Sequence, residues 1–480
     1  MPRLNAPSAK LQERRPDGMS TRLLLSLWFF GAAAGCTAAD IIGPGQIPGI
    51  LDPASSKTPA GALAAYRGAI AYLGYALGAN VPQGSGAPFG SFVATSGLLS
   101  DELQSGDIGA PLGSASGSAT VPTDARRMPE YVDPTSEPIA SYRSTYTALQ
   151  MTRNQARNAV GLVAAYLPDS SAALTAHLYT VIGYSEVMLA ELFCSGIPLS
   201  TVDYDNDYTL RSGSSSDEVY AHALAVFDSA IATASDSSRI VTMAQIGRGR
   251  VLLDLGRFND ASLAVADVPD GYQYLETYTL SGPSGDNAAN FAFLPGSQWF
   301  ASVSDREGGD GLDYISSNDP RTASSPTPVL NQYGSTLYAP NKYAPTGDSP
   351  IVLAGWVEAR LIEAEAALQA GNTTVWLDKL NHLRENAIAP ALADTTDPVD
   401  PDARVSLMFR ERAFWLFLTG HRQGDMRRLV RQYHRLQNEV YPTGSYPGGT
   451  STYGSDVNVP VPAQERAYNP QFTGCQNRGP

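Results

Sequence analysis

The residues that could do chemistry are few, and their spacing favours binding over catalysis. The five histidines, His177, His222, His382, His421 and His434, form no H-x-x-x-H pair, so the zinc-protease arrangement of two imidazoles on one helix face is missing. There is no G-x-S-x-G elbow and no G-x-x-x-x-G-K-[ST] loop, which removes the common serine-hydrolase and phosphate-cradling signatures. Gly43 and Gly45 lack a third glycine and a preceding strand. Asp203-Tyr204-Asp205-Asn206-Asp207 starts like a calcium loop, but Tyr208 replaces the turn glycine and Ser214 the closing glutamate. It reads as a solvated acidic loop. Asp305, Glu307, Asp310 and Asp313 are close in sequence without a ligand pattern. No carboxylate pair stands out for glycoside hydrolysis, whose spacing is set in space. No catalytic residue, metal site or cofactor is expected.

Aromatic rings are the better candidates. Tyr (24) outnumbers Phe (14) and Trp (5) together. Rings in loops can stack on sugars or peptide side chains. Phe89, Phe92, Tyr272, Tyr274, Trp299 and Tyr314 lie in loop-rich sequence and are the expected ligand contacts. Trp356, Trp376 and Trp415 fall on helical faces and read as core. Of three cysteines, Cys194 and Cys475 could pair outside the cytoplasm, but they read more readily as two unrelated buried thiols.

The third, Cys36, ends a leader. Met19 to Arg22 form a short basic segment, Leu23 to Phe30 an apolar one, and Ala33-Ala34-Gly35 precede the cysteine. That order is a secretory signal, too short to span a membrane. It resembles a bacterial lipobox, with Ala33 where Leu is usual, which implies cleavage before Cys36 and acylation there. Thr37 in place of Asp favours the outer membrane. Residues 1–35 read as signal peptide, with Met19 the more natural start, and 36–57 as a lipidated tether.

The elements that must position any site are mostly helical. Of the 480 residues, 43% are hydrophobic and only 17% charged, with 44 Gly and 34 Pro. A core is affordable and loops are long. The net charge of −14 excludes a nucleic-acid-binding body and disfavours polyanionic ligands, unless arginines cluster locally. Helices are predicted at about 58–78, 137–167, 170–194, 215–234, 239–255, 352–370, 373–387, 402–419 and 421–437, with a short helix after Gly256–Ala261 ending at about 267. Ser215-x-x-Glu218 is a capping box. In the helix from 352, Leu353, Val357, Leu361, Ala364 and Leu368 share a face, leaving Glu358, Arg360, Glu363 and Glu365 mostly outside. Helix pairs turn at Leu255-Gly256 and Ala370-Gly371, as in tetratricopeptide-type hairpins. Residues 58–480 read as one domain, with scaffold at 58–78, 137–267 and 352–437. Loop-rich regions at 79–136 and 268–350 would carry the ligand, and 441–480 would be coil.

Several strings, in order, resemble the SusD/RagB family of surface lipoproteins. They are Glu191-Leu192-Phe193 with Gly196-Ile197-Pro198-Leu199, Asp319-Pro320-Arg321, Lys342-Tyr343, and residues 351–388. After these come Glu411-Arg412, Gly420-His421-Arg422-x-x-Asp425-Met426-x-Arg428, and Pro460-x-Pro462-x-x-Glu465-x-x-x-Asn469-Pro470. The resemblance implies a mostly α, SusD-like right-handed superhelix of tetratricopeptide-like helix pairs with a large irregular insertion. It also implies a non-enzymatic outer-membrane lipoprotein, anchored at the cell surface. Such a protein would bind an oligosaccharide or peptide ligand and pass it to a SusC-like TonB-dependent transporter. The family often has Glu where Trp415 and Thr419 stand, so fewer ion pairs between helices are expected here. A helical-repeat scaffold lipoprotein that organises envelope complexes is the other reading left open.

Overall fold

The computed structural model describes residues 56–78, 91–106, 121–128, 141–234, 237–278, 301–331, 334–343, 348–447 and 451–480. All fall in one compact unit, Pro48–Pro480. Thr58 and Pro59 open α1 (Pro59–Gly78), with the Thr58 hydroxyl accepting from Gly61 N. The chain continues through α2 (Phe92–Leu99), β1 (Leu103–Ser105) and α3 (Val121–Asp124) to α4 (Ser141–Tyr166) and α5 (Ser171–Leu192). Two small ladders follow, β2 (Ile197–Pro198) with β5 (Gly213–Ser214), and β3 (Thr201–Val202) with β4 (Tyr208–Thr209). Then come α6 (Ser216–Thr233), α7 (Ser238–Asp254) and α8 (Phe258–Val265). Ser215 and Glu218 form the expected reciprocal cap on α6.

Beyond α8 lie β6 (Gln273–Glu276), β7 (Ala301–Val303), β8 (Ser324–Leu330), β9 (Thr336–Pro340) and β10 (Ile351–Gly355). They pair antiparallel as β1 with β7, β6 with β10 and β8 with β9. The chain closes with α9 (Trp356–Gln369), α10 (Thr373–Asn386), α11 (Pro401–Trp415), α12 (Arg422–Arg431), α13 (Gln437–Val440) and α14 (Ala463–Tyr468). Helices α1, α4, α5, α6, α7, α8, α9 and α10 each pack on the next in that order. Short connections give antiparallel neighbours, and the small residues of α1 and α5 allow close approach. Gly183 and Gly247 bring α5 and α7 against the Phe227 ring of α6, where a Cβ would stand within 2.7 Å of it.

Four expectations are corrected. Segment 79–136 holds a helix, α2. All eight of its residues are buried, so it has no amphipathic period to read, and Ser91 caps it. The helix expected from 352 starts at Trp356, because Ile351–Gly355 pairs with β6. Glu358, Arg360, Glu363 and Glu365 are buried, at 2%, 9%, 8% and 0% exposure. Their helix is covered by α8, α10 and α11, and partners reach them from elements distant in sequence. Arg428 grips Glu365 at 3.2 and 2.9 Å and also reaches Asp254 and Asp425, while Arg412 holds Asp425 at 2.9 Å through both nitrogens. The Trp415 ring lies under the Arg321 guanidinium, 4.8 Å from its ring centre. Trp356 and Trp376 are buried, as expected, and Trp415 partly so.

Fourth, Cys194 and Cys475 form a disulfide across 281 residues of sequence. The main chain sets this up, since the tail returns beside the end of α5. Cys194 N donates to Val459 O, Val459 N to Leu192 O, and Gln476 N to Ser195 O. No helix of the described residues is long and apolar enough to cross a membrane.

Candidate ligand-binding site

Of the four described aromatic residues expected to meet a ligand, three serve packing. Phe92 is 1% exposed and lies against the turn between α11 and α12, where a Cβ on Gly420 (φ +80°) would clash with its ring at 2.4 Å. Tyr314 is buried, stacked at 5.5 and 5.1 Å on Phe414 and Phe417, and its hydroxyl donates to Asp101. Tyr274 is buried with its hydroxyl 2.7 Å from His177 Nε2, and Tyr66 meets Nδ1 of the same ring at 2.8 Å. Burial, with Arg239 nearby, pushes His177 down to about 4, so it is neutral and one nitrogen donates while the other accepts. Tyr272 is half-buried and donates to Arg239 O. Phe89, Trp299 and Cys36 lie outside the described residues.

A different set of residues forms an open groove of about 470 Å³ along α4. This is within the size range of small-ligand sites. Side chains spaced by four on α4 hold one wall in place. Gln150 Nε2 donates to Pro198 O at 2.9 Å, and Asn154 and Asn158 both donate to Val202 O at 2.8 Å. Asn154 Oδ1 also accepts from Val202 N, so one amide satisfies both backbone groups of that residue. Arg153, under the floor, donates to Ser200 O. The opposite wall is α14, which Tyr146 fastens by donating to Glu465 Oε2 at 3.1 Å, and Asn469 occupies Glu465 Oε1 at 2.9 Å.

Two tyrosines on these walls are unusually open, Tyr208 at 68% and Tyr468 at 81% exposure. Arg143, Thr147, Met151 and Gln155 complete the α4 side. The groove thus offers two ring faces, phenol hydroxyls, an amide and a guanidinium, and no nucleophile beside a base. A second groove of about 750 Å³, between α8 and the α9–α10 turn, is charged but internally paired, through Arg257 with Asp260 and Lys379 with Glu363.

Neither open tyrosine carries a sequence signal for a ligand: Tyr208 follows the acidic Asp203–Asp207 stretch, and Tyr468 lies inside the motif Pro460–Pro470. Asp203 in fact accepts from the amides of Asp205 and Asp207, which makes the segment an exposed turn. Asp305 binds the amides of Ile315 and Ser316, and Glu307 is buried. Among the described residues no three His, Cys, Asp or Glu side chains are grouped to hold a metal ion.

Residues 293–479 match the SusD family model. A SusD superfamily protein from Bacteroides thetaiotaomicron VPI-5482 is 15% identical, over 88% of this chain and 100% of its own, with a TM-score of 0.63. Surface glycan-binding protein A from Bacteroides uniformis is 15% identical over 87% of this chain and 99% of its own, with a TM-score of 0.63. A SusD-like carbohydrate binding protein from Bacteroides vulgatus ATCC 8482 is 13% identical over 77% and 83%, with a TM-score of 0.52. No curated protein matches the chain. Over residues 293–479 the chain is similar in sequence to the SusD family, and over most of its length it shares the fold of SusD superfamily proteins.

Proposed function

We propose that the protein is a surface-exposed outer-membrane lipoprotein that binds nutrient oligomers and delivers them to a SusC-like TonB-dependent transporter. The observation that carries this is the SusD-like fold over 88% of the chain. The open tyrosine-lined groove supports it, as do the glycan- and carbohydrate-binding names of two similar structures. Cleavage before Cys36 and acylation would tether the protein, each buried methylene contributing about 0.8 kcal/mol. The tether keeps it at high effective concentration beside a barrel. Loop aromatics Phe89 and Trp299 add to the contact surface in this reading. The protein binds and does not turn over its ligand.

Purification from native membranes in mild detergent tests the proposal. A co-purifying TonB-dependent barrel is expected, and a monomer with no barrel companion overturns it. Turnover in a glycan or peptide panel, lost on mutating one carboxylate, would overturn the non-enzymatic part.

A further inference from the structure

We propose that the groove between α4 and α14 takes an acidic oligosaccharide, one bearing uronate carboxylates, with Arg143 reading the charge. This rests on the reading of the protein as a binder of nutrient oligomers.

The charge argument comes from the lining. Arg143 and Glu465 are its only charged side chains among the described residues. Both Glu465 oxygens are occupied, by Tyr146 and Asn469. Arg143 is half-buried, and its guanidinium makes no ion pair or hydrogen bond among the described residues. Elsewhere the pattern is opposite, with Arg250, Arg321, Arg412, Arg422 and Arg428 each gripping carboxylates. A half-buried, unpaired guanidinium is a fork suited to a carboxylate. Arg153, 2% exposed, donates to Ser200 O on the groove wall and is faced by Glu186 at 3.9 Å and by the Glu465 carboxylate. The groove thus holds an unpaired cation in a chain of net charge −14, while its carboxylate is already engaged by neutral donors.

The backbone favours a sugar over a peptide. Strand addition, one common way of holding an extended peptide, needs a free strand edge. Here the carbonyls of Pro198, Ser200 and Val202, and Val202 N, are already bonded to α4 side chains. What stays open is side-chain chemistry: the Tyr208 and Tyr468 rings and the Gln155 amide. Pyranose rings need stacking faces and hydroxyl partners and no free strand edge.

The test uses the purified full-length chain in mild detergent and calorimetry with trimers of galacturonate, glucuronate and mannuronate, each against its neutral methyl ester. At least one acid is expected to bind more tightly than its ester by about tenfold or more. Arg143→Gln should bring that acid to the ester's level, and Tyr208→Ala and Tyr468→Ala should weaken both. None of these three side chains makes a side-chain bond within the described residues, so unchanged melting temperatures are expected and serve as the folding control. Esters binding as well as acids, an acid preference that survives Arg143→Gln, or binding of an acidic peptide alone overturns the inference. Binding of neutral glycans only also overturns it, while leaving the nutrient-binding reading intact. Failure of every glycan and peptide, together with no co-purifying barrel, defeats that reading itself.

Discussion

At the scale of single residues, burial governs which charges this protein carries. Glu276, on β6, is 6% exposed, and desolvation pushes its carboxyl up to about 8. Its folded form therefore holds a proton that the unfolded chain releases above the ordinary carboxylate range. Its contribution to stability is present at low pH and is lost as pH rises through about 8. The slope from one such group is at most about 1.4 kcal/mol per pH unit. Glu276→Gln is expected to flatten the fall in melting temperature between about pH 5 and 9, read by calorimetry at constant salt. Asp425 behaves oppositely. Burial would raise it, but Arg412 and Arg428 hold it well below the usual carboxylate range. Asp425→Asn leaves those guanidiniums buried with one carboxylate fewer. A loss of about 3–5 kcal/mol is expected, measured by denaturant unfolding. The motif residues Arg321, Glu411, Arg412, Asp425 and Arg428 are thus structural: Glu411 alone receives Arg321 and Arg384, each at 2.6 Å.

At the scale of elements, the return of the C-terminal segment to the end of α5 decides whether a groove exists. Segment 459–477 crosses that end, tied by backbone bonds and by the Cys194–Cys475 disulfide. Helix α14, one wall of the groove, lies within this loop of chain. A Cys194→Ser, Cys475→Ser double variant is expected to lose about 2–5 kcal/mol of stability. Hydrogen exchange should show amides of 459–477 losing protection before those of α4 and α5. Equal loss across all three would contradict a local clasp. Helix α4 is the stiff wall, because its side chains at 150, 154 and 158 hold the 198–202 segment at Pro198 and Val202. Asn154→Ala removes both bonds to Val202. It is expected to cost about 1–3 kcal/mol, with a weaker groove affinity and no change at the disulfide.

At the scale of the whole molecule, the scaffold is a run of sequential helix pairs, and the functional proposal depends on where that scaffold is held. If Cys36 is the lipid anchor, Cys36→Ser should move the protein from the membrane to the soluble fraction. Cell fractionation reads this directly, and an unchanged membrane fraction would contradict anchoring there. Fold class was legible because it rests on local signals repeated many times. Pro59 after Thr58, the Ser215–Glu218 cap and the turn at Gly256 each mark helix ends within a few residues of chain. The groove was not legible, because its parts come from α4, the 198–208 segment and α14, more than 250 residues apart at the extremes.

The sequence by itself determined the long scaffold helices, their pairing and the family resemblance, since capping, periodicity and turn chemistry act over a handful of neighbours. Burial of charge was decided only in the tertiary structure. Glu358, Glu363 and Glu365 look solvent-facing along their own helix, and only packing brings His421, Lys379 and Arg428 to them. The same holds for the rings. Phe92, Tyr274 and Tyr314 sit in loop-rich sequence yet fill the core, while Tyr208 and Tyr468 stay open. A ring's exposure depends on what the rest of the chain packs against it, and that is settled by contacts between residues far apart in sequence.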